Sequence, residues 1–180
     1  PSLPPHPYSL AARVYHKMLC THQSQSILYS GVTDAGKTHS MQRVTEHLLT
    51  LSASHTQHES HIADQIHCAQ HILHAFGHAK TALNEQASRH AAYWELHFSS
   101  KGRLCGAKVL AFGLDKYRIS DLAPNERSFG IFYQLLAGAS PKERSELRLD
   151  EVSLGSAIPT RDDARMFEWT RRAFSVLGMK

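Results

Sequence analysis

Gln25-Ser-Ile-Leu-Tyr-Ser-Gly-Val-Thr-Asp-Ala-Gly-Lys-Thr-His-Ser-Met41 decides the fold. Residues 25–30 form a short apolar, β-prone run that stops at a glycine, which predicts a buried parallel strand ending in a turn. From Lys37 onward, Met41, Val44, Leu48 and Leu51 recur at helical spacing and predict a helix. Between strand and helix lies Gly31-x-x-x-x-Gly36-Lys37-Thr38, the pattern in which exposed backbone N–H groups and the positive end of a helix make a concave site for polyphosphate. Gly31, Val32, Thr33, Asp34, Ala35 and Gly36 would supply the wall of that site, with Lys37 reaching the β- and γ-phosphates of ATP and the Thr38 hydroxyl completing the shell of Mg²⁺. The plain alternative is a glycine turn carrying a solvated lysine. Asp34 leaves two readings open. Its carboxylate either faces the phosphates and weakens binding, with strain in the backbone, or turns outward at little cost because Asp tolerates unusual angles.

Working outward, Tyr8, Ala11, Ala12, Tyr15, Met18 and Leu19 predict a helix over about 8–20 behind the stiff Pro4-Pro5-His6-Pro7 lead. A polar stretch from Ser52 to Ser60 reads as a loop or frayed helix end. Ile62, Ile66, Ala69, Leu73 and Phe76 then mark an amphipathic helix stopped by Gly77. Residues 93–114 read as a hairpin turning at Ser100-Lys-Gly-Arg103, with Trp94 and Phe98 in the core and Glu95 and His97 on its polar edge. Phe129, Phe132, Tyr133 and Leu136 predict a helix ending at Gly138. Ser140-Pro-Lys-Glu143 is a capping box that starts another, and Met166 to Leu177 predicts a last helix closed by Gly178. The expected class is α/β: a phosphate-loop type of central sheet, containing the strand before Gly31 and the 93–114 hairpin, flanked by helices.

With 180 residues, 42% of them hydrophobic, the chain can bury a core as one domain. A net charge of +4 with histidine neutral suits ATP or an acidic surface and falls short of a nucleic-acid-binding signature. Cys20, Cys68 and Cys105 lie too far apart for a disulfide framework or zinc knuckle and read as reduced thiols. No apolar run approaches the ~20 residues that span a bilayer, so this segment is expected to make no membrane contact. Pro1 in place of an initiator Met reads as the start of a piece of something longer. Fourteen histidines predict a charge that climbs steeply below pH 7. His67, His71, His74 and His78 share one helix face, expected to be solvated, with no carboxylate at metal-ligand spacing.

The phosphate loop with His39-Ser-Met41 is compatible with a kinesin as well; the remainder resembles a myosin motor domain. Leu3-Pro-Pro-His6 leading into Leu10-Ala-Ala-Arg-Val-Tyr15, Ala63-Asp-Gln-Ile66, Ala75-Phe-Gly-His-Ala-Lys-Thr81, Lys101 to Lys108 and Glu126 to Gly138 are similar to myosin segments in their usual order. His6 to Tyr15, Ala87-Ser-Arg-His90 and Ala107 to Lys116 are similar to the myosin-like domain fused to fungal chitin synthases. On this resemblance the chain is a partial motor domain over residues 1–180: phosphate loop 31–38, first switch 84–92, transducer-like hairpin 93–114 and helical segment 127–178. The resemblance implies that Asn84 touches the nucleotide, that Ser88 offers its hydroxyl to Mg²⁺, and that Arg89 pairs with a glutamate of a second switch. It further implies actin filaments as a partner, through parts of the motor outside this chain. A cytoplasmic place in a myosin complex follows, with the parent protein at the plasma membrane or on vesicles.

Departures from the family pattern bear on activity. Ala87 stands where a serine is common, Ala91 and Ala92 stand where a glycine and a basic residue are usual, and the segment Leu147 to Thr160 is short. No run of the type Asp-x-x-Gly-Phe-Glu occurs before Lys180, which leaves Arg89 without an identifiable partner and the attacking water without a positioning group. Efficient hydrolysis by these residues alone is therefore not expected. A nucleotide-binding, non-hydrolysing targeting module and a phosphate-loop phosphotransferase are the competing functions, the latter ranked last for want of an acceptor site and an arginine-rich lid.

Overall fold

His6 opens the first helix by accepting a hydrogen bond from the Tyr8 N–H on its own ring nitrogen, 3.1 Å away, and Pro7 takes the first helical position. The computed structural model describes residues 4–53, 57–152, 154 and 158–179. Its elements are α1 (Pro7–Thr21), α2 (Lys37–Ser52), α3 (Gln57–Gly77), β1 (His78–Ala79), β2 (Ala87–Ser88), β3 (Ala91–Phe98), β4 (Leu104–Phe112), α4 (Gly130–Gly138), α5 (Pro141–Glu146) and α6 (Arg161–Val176). Single-turn 3-10 helices lie at Lys116–Ile119 and Leu149–Glu151. The chain divides into two units, Pro1–Ala63 with Trp94–Val109, and Asp64–Tyr93 with Leu110–Lys180.

In the first unit α1 packs on α2. Ala11 is fully buried and the Tyr8 ring stacks on His47 at 4.8 Å. The face of α2 that goes inward is Val44, Thr45, Leu49 and Ser52; Leu51, placed on the apolar stripe by spacing alone, stays exposed. Only one side of α2 is covered, so burial follows the neighbour and not the widest apolar stripe. Turn residues 99–103 join β3 to β4. Tyr15 of α1 donates its hydroxyl to the Gly102 carbonyl at 2.7 Å and meets Phe98 edge to face at 5.7 Å. Gly102 is indispensable there: its φ is +77°, and a Cβ would come within 2.5 Å of the Tyr15 oxygen.

The second unit is organised by α4 against α6. Thr170 is fully buried and donates to the Gln134 side-chain oxygen at 2.9 Å, with His71 Nε2 3.0 Å from the same hydroxyl. The expected capping box at Ser140 and Glu143 is formed. A second box, Thr160 with Asp163, starts α6 at Arg161, five residues before the first apolar position used to predict it. Asp163 also receives Arg127 at 2.7 Å, tying the start of α6 to the approach to α4.

The central sheet is the main correction. Residues 22–31 form no strand, Leu28 is 91% exposed, and the described residues hold two separate two-stranded sheets, β1 with β2 and β3 with β4. A strand exists only as a paired ladder, and among the described residues nothing pairs with Gln25–Ser30. What stands is helices with small antiparallel sheets. Helices over 7–21, 37–52 and 130–138, and the hairpin, lie where sequence spacing put them, while α3 opens at Gln57, inside the stretch expected to be a loop or frayed helix end. Leu3, residues 54–56 of the Ser52–Ser60 stretch, and residues 153 and 155–157 of the shortened Leu147–Thr160 stretch lie outside the described residues.

Candidate functional site

Two pieces of chain carry the candidate residues, one on each unit. On the first, residues 31–36 are exposed and lead straight into α2, whose N-cap is Gly36 at φ +77° with no side-chain cap. α2 thus opens with the positive end of its dipole directed at residues 31–36. Gly31 at φ +149° and Asp34 at φ +67° bend the loop back on itself, closed by the Ala35 N–H donating to the Val32 carbonyl at 3.3 Å. Lys37 arches over this turn and donates to the Gly31 and Val32 carbonyls at 2.7 and 2.6 Å. The lysine is thus bound across the loop and is no free solvated chain. Asp34 is the one loop residue with a Cβ in the left-handed region, so the conformational cost foreseen for it is present.

On the second unit, α3 runs into β1, the chain turns through 80–86, and β2 returns antiparallel with His78 opposite Ser88 and Ala79 opposite Ala87. Asn84 shapes the turn: its Oδ1 accepts the Gln86 N–H at 2.8 Å and its carbonyl accepts the Thr81 N–H at 2.8 Å. An open cavity of about 400 Å³ adjoins it, lined by residues 80–85 with Pro124 and Asn125. Ser88 Oγ lies 2.9 Å from His78 Nε2. Arg89, for which the sequence offered no partner, has one in Asp115. Its Nη2 and Nε donate to the same carboxylate oxygen at 2.5 and 3.1 Å, and the Asp115 N–H donates to the Arg89 carbonyl at 2.9 Å. The Arg89 side-chain hydrogen bond holds the Asp115 carboxyl below its ordinary range. The pair spans 26 positions of sequence, and Asp115 stands in the hairpin's exit, where spacing alone gave no reason to look.

The histidine face was misplaced. His67 is exposed, but His71 and His74 are half-buried and His78 is buried. The cover comes from α6 through Thr170 and from the β2 turn, where Gln86 Oε1 lies 3.2 Å from His74 Nε2. Burial pushes all three imidazoles down, His78 to about 3, with the neighbouring His74 and His90 adding to the effect on His78. His78 therefore takes no part in the charge increase expected near neutrality, and His71 and His74 are displaced from it in the same direction. Unfolded, they protonate near pH 6.5, so below that the unfolded state binds more protons and acid destabilises the fold. Their stabilisation is fully present above about pH 7 and drains away as pH falls, for His78 with a slope approaching 1.4 kcal/mol per pH unit. The urea midpoint of the chain should fall steadily from pH 7 to 5, and His78→Gln should flatten that slope; a midpoint constant over this range would contradict the burial.

The donor set bears on what the site can hold. Among the described residues no group of three His, Cys, Asp or Glu side chains could ligate a metal. Thr38 and Ser88 offer neutral hydroxyl oxygens, hard donors that suit Mg²⁺ only alongside phosphate oxygens and water. Each hydroxyl by itself is a donor of the kind that a cation arriving with a triphosphate would use. Among the described residues no helix is long and apolar enough to cross a membrane.

Comparison with known proteins shows the family. The family model described as "Myosin head (motor domain)" matches residues 1–180. "Unconventional myosin heavy chain 6" of Caenorhabditis elegans is 39% identical over 183 residues, covering 97% of this chain and 8% of that protein. "Myosin-4" of Arabidopsis thaliana is 37% identical over 181 residues, covering 96% of this chain and 16% of that protein. "Myosin heavy chain IB" of Acanthamoeba castellanii is 35% identical, with 98% and 16% covered. The chain thus spans about a sixth or less of the length of these relatives.

Proposed function

This chain belongs to the myosin head (motor domain) family, and from that premise we propose that it is the ATP·Mg²⁺-binding portion of a myosin-type motor. The observation that carries the proposal is the loop 31–38: a left-handed glycine N-cap at Gly36, free of any side-chain cap, with Lys37 arched over the turn. Triphosphate oxygens would take backbone amides of the loop, with Ala35 N–H giving up the Val32 carbonyl to do so, and Lys37 would exchange its backbone carbonyls for the β- and γ-phosphates. The Thr38 and Ser88 hydroxyls would hold Mg²⁺, which would neutralise phosphate charge, and Asn84 would contact the nucleotide. In a full motor, loss of the γ-phosphate would release the switch segment and move the actin-binding parts. The central sheet expected around the loop would then need strands from outside these residues to pair with 25–30.

Asp34 gives the test nearest the loop. Asp34→Gly should tighten binding of a fluorescent ATP analogue by about five- to tenfold, since it removes both a left-handed Cβ and a negative charge beside the phosphates. Asp34→Asn retains tolerance of the left-handed angle and should recover most of that gain if charge dominates. Unchanged or weaker binding in both variants would contradict a phosphate-facing Asp34.

A second reading, nucleotide binding without hydrolysis, is favoured by one observation: Arg89 is committed to Asp115, and no Asp-x-x-Gly-Phe-Glu run in these residues competes for it. The adjoining reading frame separates the readings, because a working motor requires that run. The same frame tests the narrower placement beside fungal chitin synthases, which rests on residues 6–15, 87–90 and 107–116 alone. A chitin synthase domain downstream supports it, and a neck and tail of another kind removes it.

A further inference from the structure

We infer that His78 is a positioning residue for Ser88: its imidazole fixes the direction of the Ser88 hydroxyl and so sets how well that oxygen takes Mg²⁺. This rests on the reading of Ser88 as a ligand of the nucleotide-bound cation. The two residues sit directly opposite in the antiparallel register, which puts both side chains on one face of the ribbon. Ser88 Oγ and His78 Nε2 are 2.9 Å apart. Whichever partner carries the proton, that contact uses one of the hydroxyl's bonding directions and restricts where its lone pairs can point.

The imidazole has little freedom to swing away. It is 8% exposed and lies between the rings of His74 and His90, at 4.2 and 5.8 Å. His74 is itself held by Gln86, and His90 Nδ1 lies 3.2 Å from the Gly77 carbonyl. Gly77 is fitted to that arrangement, since a Cβ there would come within 2.3 Å of the His90 ring. Segment 86–90 is thus tied down at three places, Gln86 on His74, Ser88 on His78 and His90 on the Gly77 carbonyl, and the middle one carries the hydroxyl. Partners of a ligand that set its orientation alter metal affinity by about ten- to a hundredfold.

The test uses the whole chain with MgCl₂ and a fluorescent ATP analogue, comparing His78→Gln with His78→Asn. A glutamine amide reaches the Nε2 position and an asparagine amide only the Nδ1 position. His78→Asn should raise the Mg²⁺ concentration for half-maximal binding by about tenfold, and His78→Gln by no more than about threefold. Without nucleotide or metal, the side-chain ¹⁵N resonance of His78 Nε2 should move in Ser88→Ala while that of His71 stays in place. A His78 resonance indifferent to Ser88→Ala overturns the inference, as does equal impairment, or equal retention, of Mg²⁺ affinity in the Gln and Asn variants. Ser88→Ala separates the two levels. If it raises the Mg²⁺ requirement and His78→Asn does not, only the positioning role fails; if Ser88→Ala leaves the requirement unchanged, the ligand reading fails and takes this inference with it.

Discussion

Lys37→Ala lowers the affinity of the chain for a fluorescent ATP analogue by about a hundredfold. Two charge-assisted contacts to the phosphates disappear together, and a hydrogen bond to a charged group contributes about 1.5–3 kcal/mol, against about 1.4 kcal/mol per tenfold. The substitution also acts before any ligand arrives, because Lys37 crosses the loop to the Gly31 and Val32 carbonyls. Lys37→Arg should rescue little, since a planar fork cannot replace a compact ammonium inside so tight a turn. Binding by Lys37→Ala within about threefold of the parent chain would remove every nucleotide-binding reading of the loop, against the hundredfold set by the charged contacts.

Tyr133→Ala should cost about 4 kcal/mol of stability, a large share of the 5–15 kcal/mol typical of a domain. Tyr133 is fully buried in α4, so truncation leaves a cavity. It also withdraws the hydroxyl that accepts the Ser128 N–H at 3.1 Å, orphaning a buried donor. The Arg127 guanidinium lies 3.8 Å over the ring centroid and reaches on to Asp163, so the seat of α6 loosens as well. Tyr133→Phe keeps the ring and should cost about 1 kcal/mol. Urea denaturation followed by circular dichroism checks both; a Tyr133→Ala loss below about 1 kcal/mol would mean that the cavity collapses.

These two residues illustrate what could be read in the sequence. Lys37 at the start of a helix and Tyr133 on the buried side of one both follow from local signals, a glycine-rich loop before a helical period and an apolar i, i+3, i+4 pattern. The box at Ser140 and Glu143 belongs to the same class. Thr160 and Asp163 form an equivalent box three residues apart, with Asp in place of the usual Glu. What stayed hidden depends on distant chain. His71 and His74 look solvated along α3 until Thr170, 99 residues beyond His71, and the Gln86 turn cover them. Arg89 found Asp115 across the hairpin, a pairing that no spacing rule announces. Residues 25–30 have strand composition without a strand partner, and composition cannot supply a ladder.

The central claim is that the amides of Gly31 to Thr38 wrap a triphosphate at the head of α2. The most direct measurement is an amide ¹H–¹⁵N titration of the ¹⁵N-labelled chain with Mg·ATP. Saturable shifts at residues 31–39, lost in Lys37→Ala while the rest of the spectrum persists, are the predicted result. Amides of 31–39 that stay unmoved at millimolar Mg·ATP would contradict it.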